Sequence, residues 1–325
     1  MADSLPRTLP ASWYCNPQLY QLERRAVFLK AWYLLGPVVK FADSKEFQYE
    51  FAGVTLHAQQ QIQEQASRVI VKTSEGSTVR SHVTSTGLLF TTVSDDAPSF
   101  KEYFPGLEDV LATVDFTKRP YRRSIGYPGH FNWKTMVDGY QECLHCAYTH
   151  PSFSELYPPH SYNVINYHNW SRHVADPAKP NDGLFLYLFP ICTLNVYGGG
   201  MSLFRVNPTS DPGTTRMEFD YFNVDEGEKF EEYYKFVRQV AIEDFELCEK
   251  AQYNLERGIY AEGILNPVKE TGVAYYQQRV LELCIERHQS EKQRKLLATR
   301  QDSRQARSQE TRTILGSRAL EIVTQ

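Results

Sequence analysis

The chain has 325 residues, of which 42% are hydrophobic and 13% aromatic, so it can bury a substantial core and is not globally disordered. Its formal charge of -4 argues against a nucleic-acid-binding protein. No stretch approaches the ~18 apolar residues of a membrane span, and the N-terminus lacks the apolar core of a signal peptide. We therefore expect a cytoplasmic protein with no nucleic-acid or membrane partner.

The N-terminal third of the chain predicts one helix followed by short strands. Residues 16–31 read as a helix with Asn16 as its cap and Pro17 at its first position. Apolar runs within residues 32–55, and again at 68–72 and 87–93, are typical of strands. Between them, residues 56–66 are polar and rich in glutamine, with no strong apolar face.

The rest of the chain predicts helices on either side of a β section. Residues 132–146 are helical in period, whereas 151–182 look irregular. Residues 184–224 alternate like antiparallel strands around a Gly-rich turn. Two helices are predicted at 228–257 and 270–288, and the polar tail after residue 290 reads as a solvated helix or a disordered extension.

The first candidate site lies in the helical pattern 132–146. Asp138, Glu142 and His145 are spaced i, i+4 and i+7, so one helix would place them on a common face. His150 lies five residues beyond His145 and precedes a proline, which disfavours helix at that position. A helix that ends near residue 146 would bring His150 back beside His145; the alternative is two unrelated histidines.

The second candidate is Asp244, an acidic residue in the apolar stripe of the 228–257 helix. It is four residues from both Val240 and Cys248, whereas Glu243, Glu246 and Glu249 lie off the stripe. A buried ionised carboxylate is costly unless it is paired or binds a metal, so an arginine or backbone amides would be the alternative partners. Two histidines and one carboxylate form the facial triad of non-haem iron oxygenases, so we expect His145, His150 and Asp244 to bind one Fe(2+).

The six cysteines are scattered, without the spacing of a disulfide framework. In a reducing compartment we expect them to be mostly buried thiols. Cys143 and Cys146 flank His145 in the sequence C-L-H-C.

The pattern N-W-K-x3-D-x3-E-C-x-H-C-x4-H-P at 132–151 closely resembles the iron-binding stretch of Rieske non-haem iron oxygenase α subunits, the ring-hydroxylating dioxygenase type, in the choline and carnitine monooxygenase branch. E-D-x4-E-x2-Q at 243–252 resembles the stretch that supplies the third ligand. The resemblance extends from about residue 32 to residue 288.

The resemblance implies an α+β fold in four parts. An N-terminal helical segment (1–31) would be followed by a degenerate, shortened Rieske-like β domain (32–105). A helix-grip (START-like) catalytic domain with an antiparallel sheet would occupy 106–289, and a polar tail 290–325.

The resemblance also assigns roles in the site. His145, His150 and Asp244 match the iron ligands. Glu142 matches the acidic residue that links a neighbouring subunit's iron–sulfur cluster to the iron, and Asp138 lies one helical turn earlier. The reaction implied is oxidation of a small quaternary amine such as choline to betaine aldehyde with O2, in a homotrimer.

The sequence departs from the family in its cluster ligands. A Rieske centre needs two cysteines and two histidines, in C-x-H and C-x2-H patterns, but residues 32–104 contain no cysteine. We therefore expect no [2Fe–2S] cluster in this chain and an external electron donor or reductase. Two alternatives stay open: an altered or inactive metal-binding relative that acts as a partner subunit, or a gene model that lacks the cluster-coding segment.

Aromatic faces bind quaternary ammonium groups, and several aromatic residues are candidates for a substrate pocket. These are Trp133, Tyr140, Tyr148, Tyr187, Phe189, Tyr197 and Phe204.

Overall fold

A computed structural model describes residues 5–44, 46–63, 66–176, 178 and 183–323, with side chains left out at 43–44, 62–63, 66–67 and 301–323. The first four residues of the predicted N-terminal segment and the last two of the tail lie outside this description. Within the described ranges, no helix is both long and apolar enough to cross a membrane.

The N-terminal segment begins with α1 (Ser12–Cys15) and α2 (Pro17–Ala26). As predicted, Pro17 opens α2 and the Asn16 side chain caps it by accepting hydrogen bonds from the backbone N–H groups of the next turn. The helix ends at Ala26 rather than at residue 31. Val27 and Phe28 are each 1% exposed, so the chain turns inward there to fill the core.

Two three-stranded antiparallel sheets follow, which confirms a short N-terminal β domain. One has the order β1-β6-β5 and the other β2-β3-β4. The strands are β1 (Trp32–Pro37), β2 (Glu46–Phe51), β3 (Val54–Gln63), β4 (Ala66–Thr73), β5 (Ser81–Val83) and β6 (Leu88–Thr92). The glutamine-rich stretch is therefore a strand. Leu56 and Ala58 of β3 are fully buried. Two buried apolar side chains form an apolar face that is too small to recognise from the sequence.

The predicted antiparallel sheet has seven strands in the order β7-β13-β12-β11-β10-β9-β8. They are β7 (Tyr121–Gly129), β8 (Asn163–Asn166), β9 (Trp170–Val174), β10 (Leu184–Leu188), β11 (Cys192–Tyr197), β12 (Gly200–Pro208) and β13 (Thr215–Asn223). The expectation that 151–182 is irregular was wrong, because β8 and β9 extend the sheet. Their sequence is polar, yet β9 pairs along its length with the wholly buried β10.

Further helices complete the α+β fold. They are α3 (Phe100–Tyr103), α4 (Leu107–Leu111), α5 (Trp133–Tyr140), α6 (Cys146–Thr149), α7 (Pro151–Leu156), α8 (Gly227–Glu256) and α9 (Thr271–Val323). The backbone of the polar tail thus continues α9 as helix to residue 323.

Helix α5, which leads into the first candidate site, is fixed by buried polar contacts to α2. Glu23 of α2 accepts hydrogen bonds from Lys134 Nζ at 2.7 and 2.9 Å and from Trp133 Nε1 at 3.0 Å. The Trp133 ring packs edge-on against Phe28 and Tyr276. The N-terminal segment is therefore part of the support of the site.

Candidate metal centre

The turn after α5 sets the position of His145. The helix ends at Tyr140, not near residue 146. The Glu142 carboxylate accepts hydrogen bonds from the backbone N–H groups of Leu144 and His145, which an unbroken helix would direct to backbone carbonyls. The expectation that Asp138, Glu142 and His145 share one helical face was therefore wrong, because a side chain competes with the helix for those N–H groups.

His150 returns to His145 through the short helix α6. It caps the C-terminal end of α6, and Pro151 then begins α7. The two histidines cap the two ends of this one-turn helix, and their Nε2 atoms lie 3.1 Å apart. His150 is 2% exposed, so the ring is held in the interior.

Asp244 of α8 completes a compact triangle of donor atoms. Its Oδ1 lies 2.9 Å from His150 Nε2 and 3.3 Å from His145 Nε2. With bonds of ~2.1 Å to a first-row metal, neighbouring ligands of an octahedron lie ~3.0 Å apart. The three atoms thus fit one face of an octahedron, which leaves the opposite face open. The donor set, two imidazoles and one carboxylate, fits Fe(2+).

Each histidine also has a carboxylate on its other ring nitrogen. His145 Nδ1 bonds Glu142, and His150 Nδ1 lies 2.8 Å from Glu243 Oε2. An Nδ1–H that donates to a carboxylate leaves Nε2 free for a metal and fixes the ring orientation. Sequence reasoning missed Glu243, because it lies off the apolar stripe of α8; its position next to Asp244 was the available signal.

The carboxylates around the two histidines shift the pKa values of the site. Burial lowers the pKa of His145, but its hydrogen bonds to Asp244 and Glu142 outweigh burial and raise that pKa to about 10. The pKa of His150 is also raised, against burial, by Asp244 and Glu243. Burial raises the pKa of Asp244, yet its bonds to the two histidines bring that pKa down to about 2. The carboxylates therefore stabilise a positive charge between them.

Asp138 lies one turn before the site but binds other elements. It accepts hydrogen bonds from Tyr14 Oη at 2.7 Å, from Gln277 Nε2 at 2.6 Å and from the Tyr276 hydroxyl. Burial raises its pKa to about 6, although these bonds oppose the shift. Asp138 thus ties α5 to α1 and α9.

An apolar cavity of about 100 Å³ opens at the histidine triangle. Seven aromatic side chains line it: Tyr140, Phe153, Tyr162, Phe185, Tyr197, Phe204 and Phe219. Three of them were expected from the sequence. The expectation was wrong for Tyr148, which is 91% exposed, and for Trp133, Tyr187 and Phe189, which belong to the main core.

Cys143 and Cys146 form a disulfide in this structure, so they are not the thiols expected from the sequence. Their Cα atoms are 5.1 Å apart, within the range of about 4.4–6.8 Å that a disulfide allows, because the chain turns tightly after α5. Both residues line the cavity. The other four cysteines, Cys15, Cys192, Cys248 and Cys284, are free thiols, as expected.

Comparison with known proteins identifies the family. Residues 116–286, just over half of the chain, match the ring hydroxylating alpha subunit (catalytic domain). The chain belongs to this family, as its iron-site motifs suggested.

Among curated proteins, the chain is similar to carnitine monooxygenase oxygenase subunits. The Escherichia coli (strain K12) protein is 29% identical over 220 residues, which cover 58% of this chain and 57% of the relative. The Acinetobacter baumannii protein is 26% identical over 224 residues, covering 60% and 59%. The match therefore spans less than two thirds of either relative's length.

Solved structures share the fold. The quaternary ammonium Rieske monooxygenase CntA in complex with L-carnitine has a TM-score of 0.72 at 18% identity, covering 86% of this chain and 96% of that one. Naphthalene 1,2-dioxygenase from Rhodococcus sp. bound to indole has a TM-score of 0.63 at 13% identity, covering 85% and 94%. These likenesses confirm the predicted α+β fold.

Proposed function

We propose that this chain is a mononuclear non-haem iron oxygenase whose Fe(2+) is held by His145, His150 and Asp244. The observation that carries the proposal is the triangle of donor atoms with edges of 2.9, 3.1 and 3.3 Å. When bound there, the iron would supply the activation of dioxygen. The named relatives, which are monooxygenase oxygenase subunits, support this activity.

The chain's own residues would orient the ligands and shape the substrate space. Glu142 and Glu243 would hold the two imidazoles with Nε2 toward the metal. Asp138 would keep α5, and with it the following turn, in position. The aromatic walls of the cavity would exclude water from the reacting carbon.

The substrate we propose is a small quaternary amine of the choline type, oxidised to the aldehyde. A permanent cation has no hydrogen to donate, so it is best recognised by aromatic faces, which the cavity supplies. A volume of about 100 Å³ suits a small molecule. The relatives' names point to carnitine, a substrate with the same trimethylammonium group.

The electrons would come from an external donor or reductase, because residues 32–104 contain no cysteine to bind a Rieske cluster. We predict that absorption and paramagnetic-resonance spectra of the iron-loaded chain show no [2Fe–2S] centre. A Rieske spectrum from this chain would contradict that prediction. The family resemblance favours a cytoplasmic homotrimer, with a catalytic domain at 106–289 after a shortened Rieske-like domain at 32–105.

The missing cluster ligands favour one further candidate function, a metal-binding partner subunit without turnover. Iron content and O2 uptake, measured with a chemical reductant with and without choline, separate the two. The oxygenase should bind one iron and consume O2 in a choline-dependent way. The partner subunit would bind iron with no such consumption.

The iron assignment itself is tested by two variants of α8. Asp244→Ala removes a donor atom and should abolish stoichiometric iron binding. Glu246→Ala is the matched control, because its side chain is 64% exposed and contacts only Lys250, at 4.0 Å, among the ion pairs described for this helix. Full iron content in Asp244→Ala would refute the triad.

A further inference from the structure

The cavity has one polar row between aromatic rows, and strand pairing explains its position. Side chains alternate along a strand, so Asn195 and Tyr197 of β11 face the same side of the sheet. Asn195 pairs directly with Ser202 of β12. The next pair on the same face of the sheet is Thr193 of β11 with Phe204 of β12. Asn195 and Ser202 both line the cavity, so a carboxamide and a hydroxyl lie side by side among rings.

The carboxamide of Asn195 is held in one orientation and has an N–H group available as a donor. The residue is 8% exposed, and its Oδ1 accepts a hydrogen bond of 2.6 Å from the Tyr140 hydroxyl. One hydrogen bond is described for its Nδ2, which donates to Thr193 Oγ1 at 3.4 Å. An amide nitrogen carries two N–H groups, so one remains for a ligand, and a buried donor without a partner is costly.

The same cavity offers a carboxylate no basic side chain among the described residues. Among the described residues that line it there is no lysine or arginine, and its charged groups are Glu142, Asp244 and the histidines. Arg238 is close, 5.1 Å from the centre of the Phe219 ring, but its Nη1 donates to the Tyr127 hydroxyl at 2.9 Å. A carboxylate buried there would find no lysine or arginine as its partner among the described lining residues.

We propose that Asn195 is a specificity-determining residue that donates a hydrogen bond to an uncharged oxygen of the substrate. The preferred class is then a small quaternary ammonium compound that carries a hydroxyl group and no carboxylate. This inference rests on the proposed function and narrows it. The aromatic walls take the cation, the amide takes the oxygen, and the lack of a basic side chain among the described lining residues disfavours betaines that carry an acid.

The test measures binding to the iron-loaded full chain without O2, so that no ligand is turned over. Titration calorimetry compares choline (hydroxyl), ethyltrimethylammonium (neither group) and carnitine (hydroxyl and carboxylate). One neutral hydrogen bond corresponds to about 3–10-fold in affinity, so choline should bind more tightly than ethyltrimethylammonium by that factor. Carnitine should bind at least about 10-fold more weakly than choline, since its carboxylate loses water without a basic side chain to pair with among the described lining residues.

Asn195→Leu keeps the size of the side chain and removes the donor. It should bring the affinity for choline down to that for ethyltrimethylammonium and leave the latter within about 2-fold. Ser202→Ala removes the neighbouring hydroxyl. Loss of the preference for choline in Ser202→Ala, with its retention in Asn195→Leu, would assign the donor to Ser202 and overturn the proposal.

The wild-type comparison decides the matter even if a variant fails to fold. Equal affinities for choline and ethyltrimethylammonium, or carnitine binding as tightly as choline, would overturn the specificity proposal while leaving a quaternary-amine oxygenase intact. No binding of any of the three ligands would overturn the substrate class of the proposed function, and this inference with it.

Discussion

Replacing Glu23 by glutamine should destabilise the protein strongly, although Glu23 is remote in sequence from the metal site. Its carboxylate and the ammonium of Lys134 are both 0% exposed and lie 2.7 Å apart. Trp133 Nε1 donates to the same carboxylate at 3.0 Å. Glutamine keeps the shape but has only one accepting oxygen, so the variant removes the charge that compensates Lys134 and also sets an amide N–H against an N–H donor of Lys134 or Trp133.

The magnitude follows from the burial of both partners. Breaking a buried ion pair by removing one charge costs about 3–5 kcal/mol, because the other charge stays buried. Lys134 Nζ also lies 5.0 Å from the Trp133 ring centre and 5.2 Å from that of Tyr14, which partly compensates the ammonium. We therefore expect the free energy of unfolding to fall by the lower end of this range, about 3 kcal/mol. With a urea slope of about 3 kcal/mol per M, the unfolding midpoint falls by about 1 M.

The assay is urea unfolding of the metal-free protein, followed by circular dichroism. The double variant Glu23→Gln/Lys134→Met should lose less stability than the two single variants together, because it leaves no unpaired charge. Glu282→Gln on α9 is the control: its side chain is 47% exposed, and the change should stay within about 0.5 kcal/mol. An unchanged midpoint for Glu23→Gln, or strictly additive single variants, would show that the pair does not hold α5.

Three further predictions concern the site and its support. Glu142→Gln and Glu243→Gln should each weaken iron binding by ~10–100-fold in chelator competition, and equal affinity in both variants and the wild type would refute their role. Iron affinity should fall as pH drops from 8.5 to 6.5, since the pKa of His145 is about 10 without metal and protons compete for the ligand; a flat profile in the same competition assay contradicts this. The buried Asp138 carboxyl has a pKa of about 6, above its ordinary 3.8, so the folded state binds its proton more readily and stability falls as pH rises from 4 to 7. Asp138→Asn should reduce that fall by about 2–3 kcal/mol in urea unfolding at the two pH values.

Helical periodicity located one residue of the proposed metal centre, Asp244, and missed the residue beside it. Asp244 stood out because an acidic residue in an apolar stripe must have a buried partner. Glu243 points off that stripe, and yet it reaches His150, because the turn between α6 and α7 brings the histidine to the edge of α8. An apolar stripe indicates which face of a helix is buried, but it does not indicate which loop packs at the edge of that face.

The helix predicted at 132–146 extends past the observed end of α5 at Tyr140, and the reason is physical. The apolar spacing continues through Leu144, so periodicity alone favours helix to residue 146. The carboxylate of Glu142 binds the backbone N–H groups of Leu144 and His145 and ends the helix. Such a side-chain cap inside a periodic pattern cannot be read from spacing. The two histidines are adjacent all the same, because they cap the two ends of the one-turn helix α6.

The charges of the site's own side chains favour a cation at its centre. The carboxylates of Glu142, Glu243 and Asp244 surround two imidazoles whose pKa values are raised by those same groups. In the metal-free protein, protons on the histidines supply the positive charge that the carboxylates require. When a divalent cation binds, those protons leave and the cation takes their place, so the local charge changes little. Iron binding at this triangle would therefore release protons from the histidines.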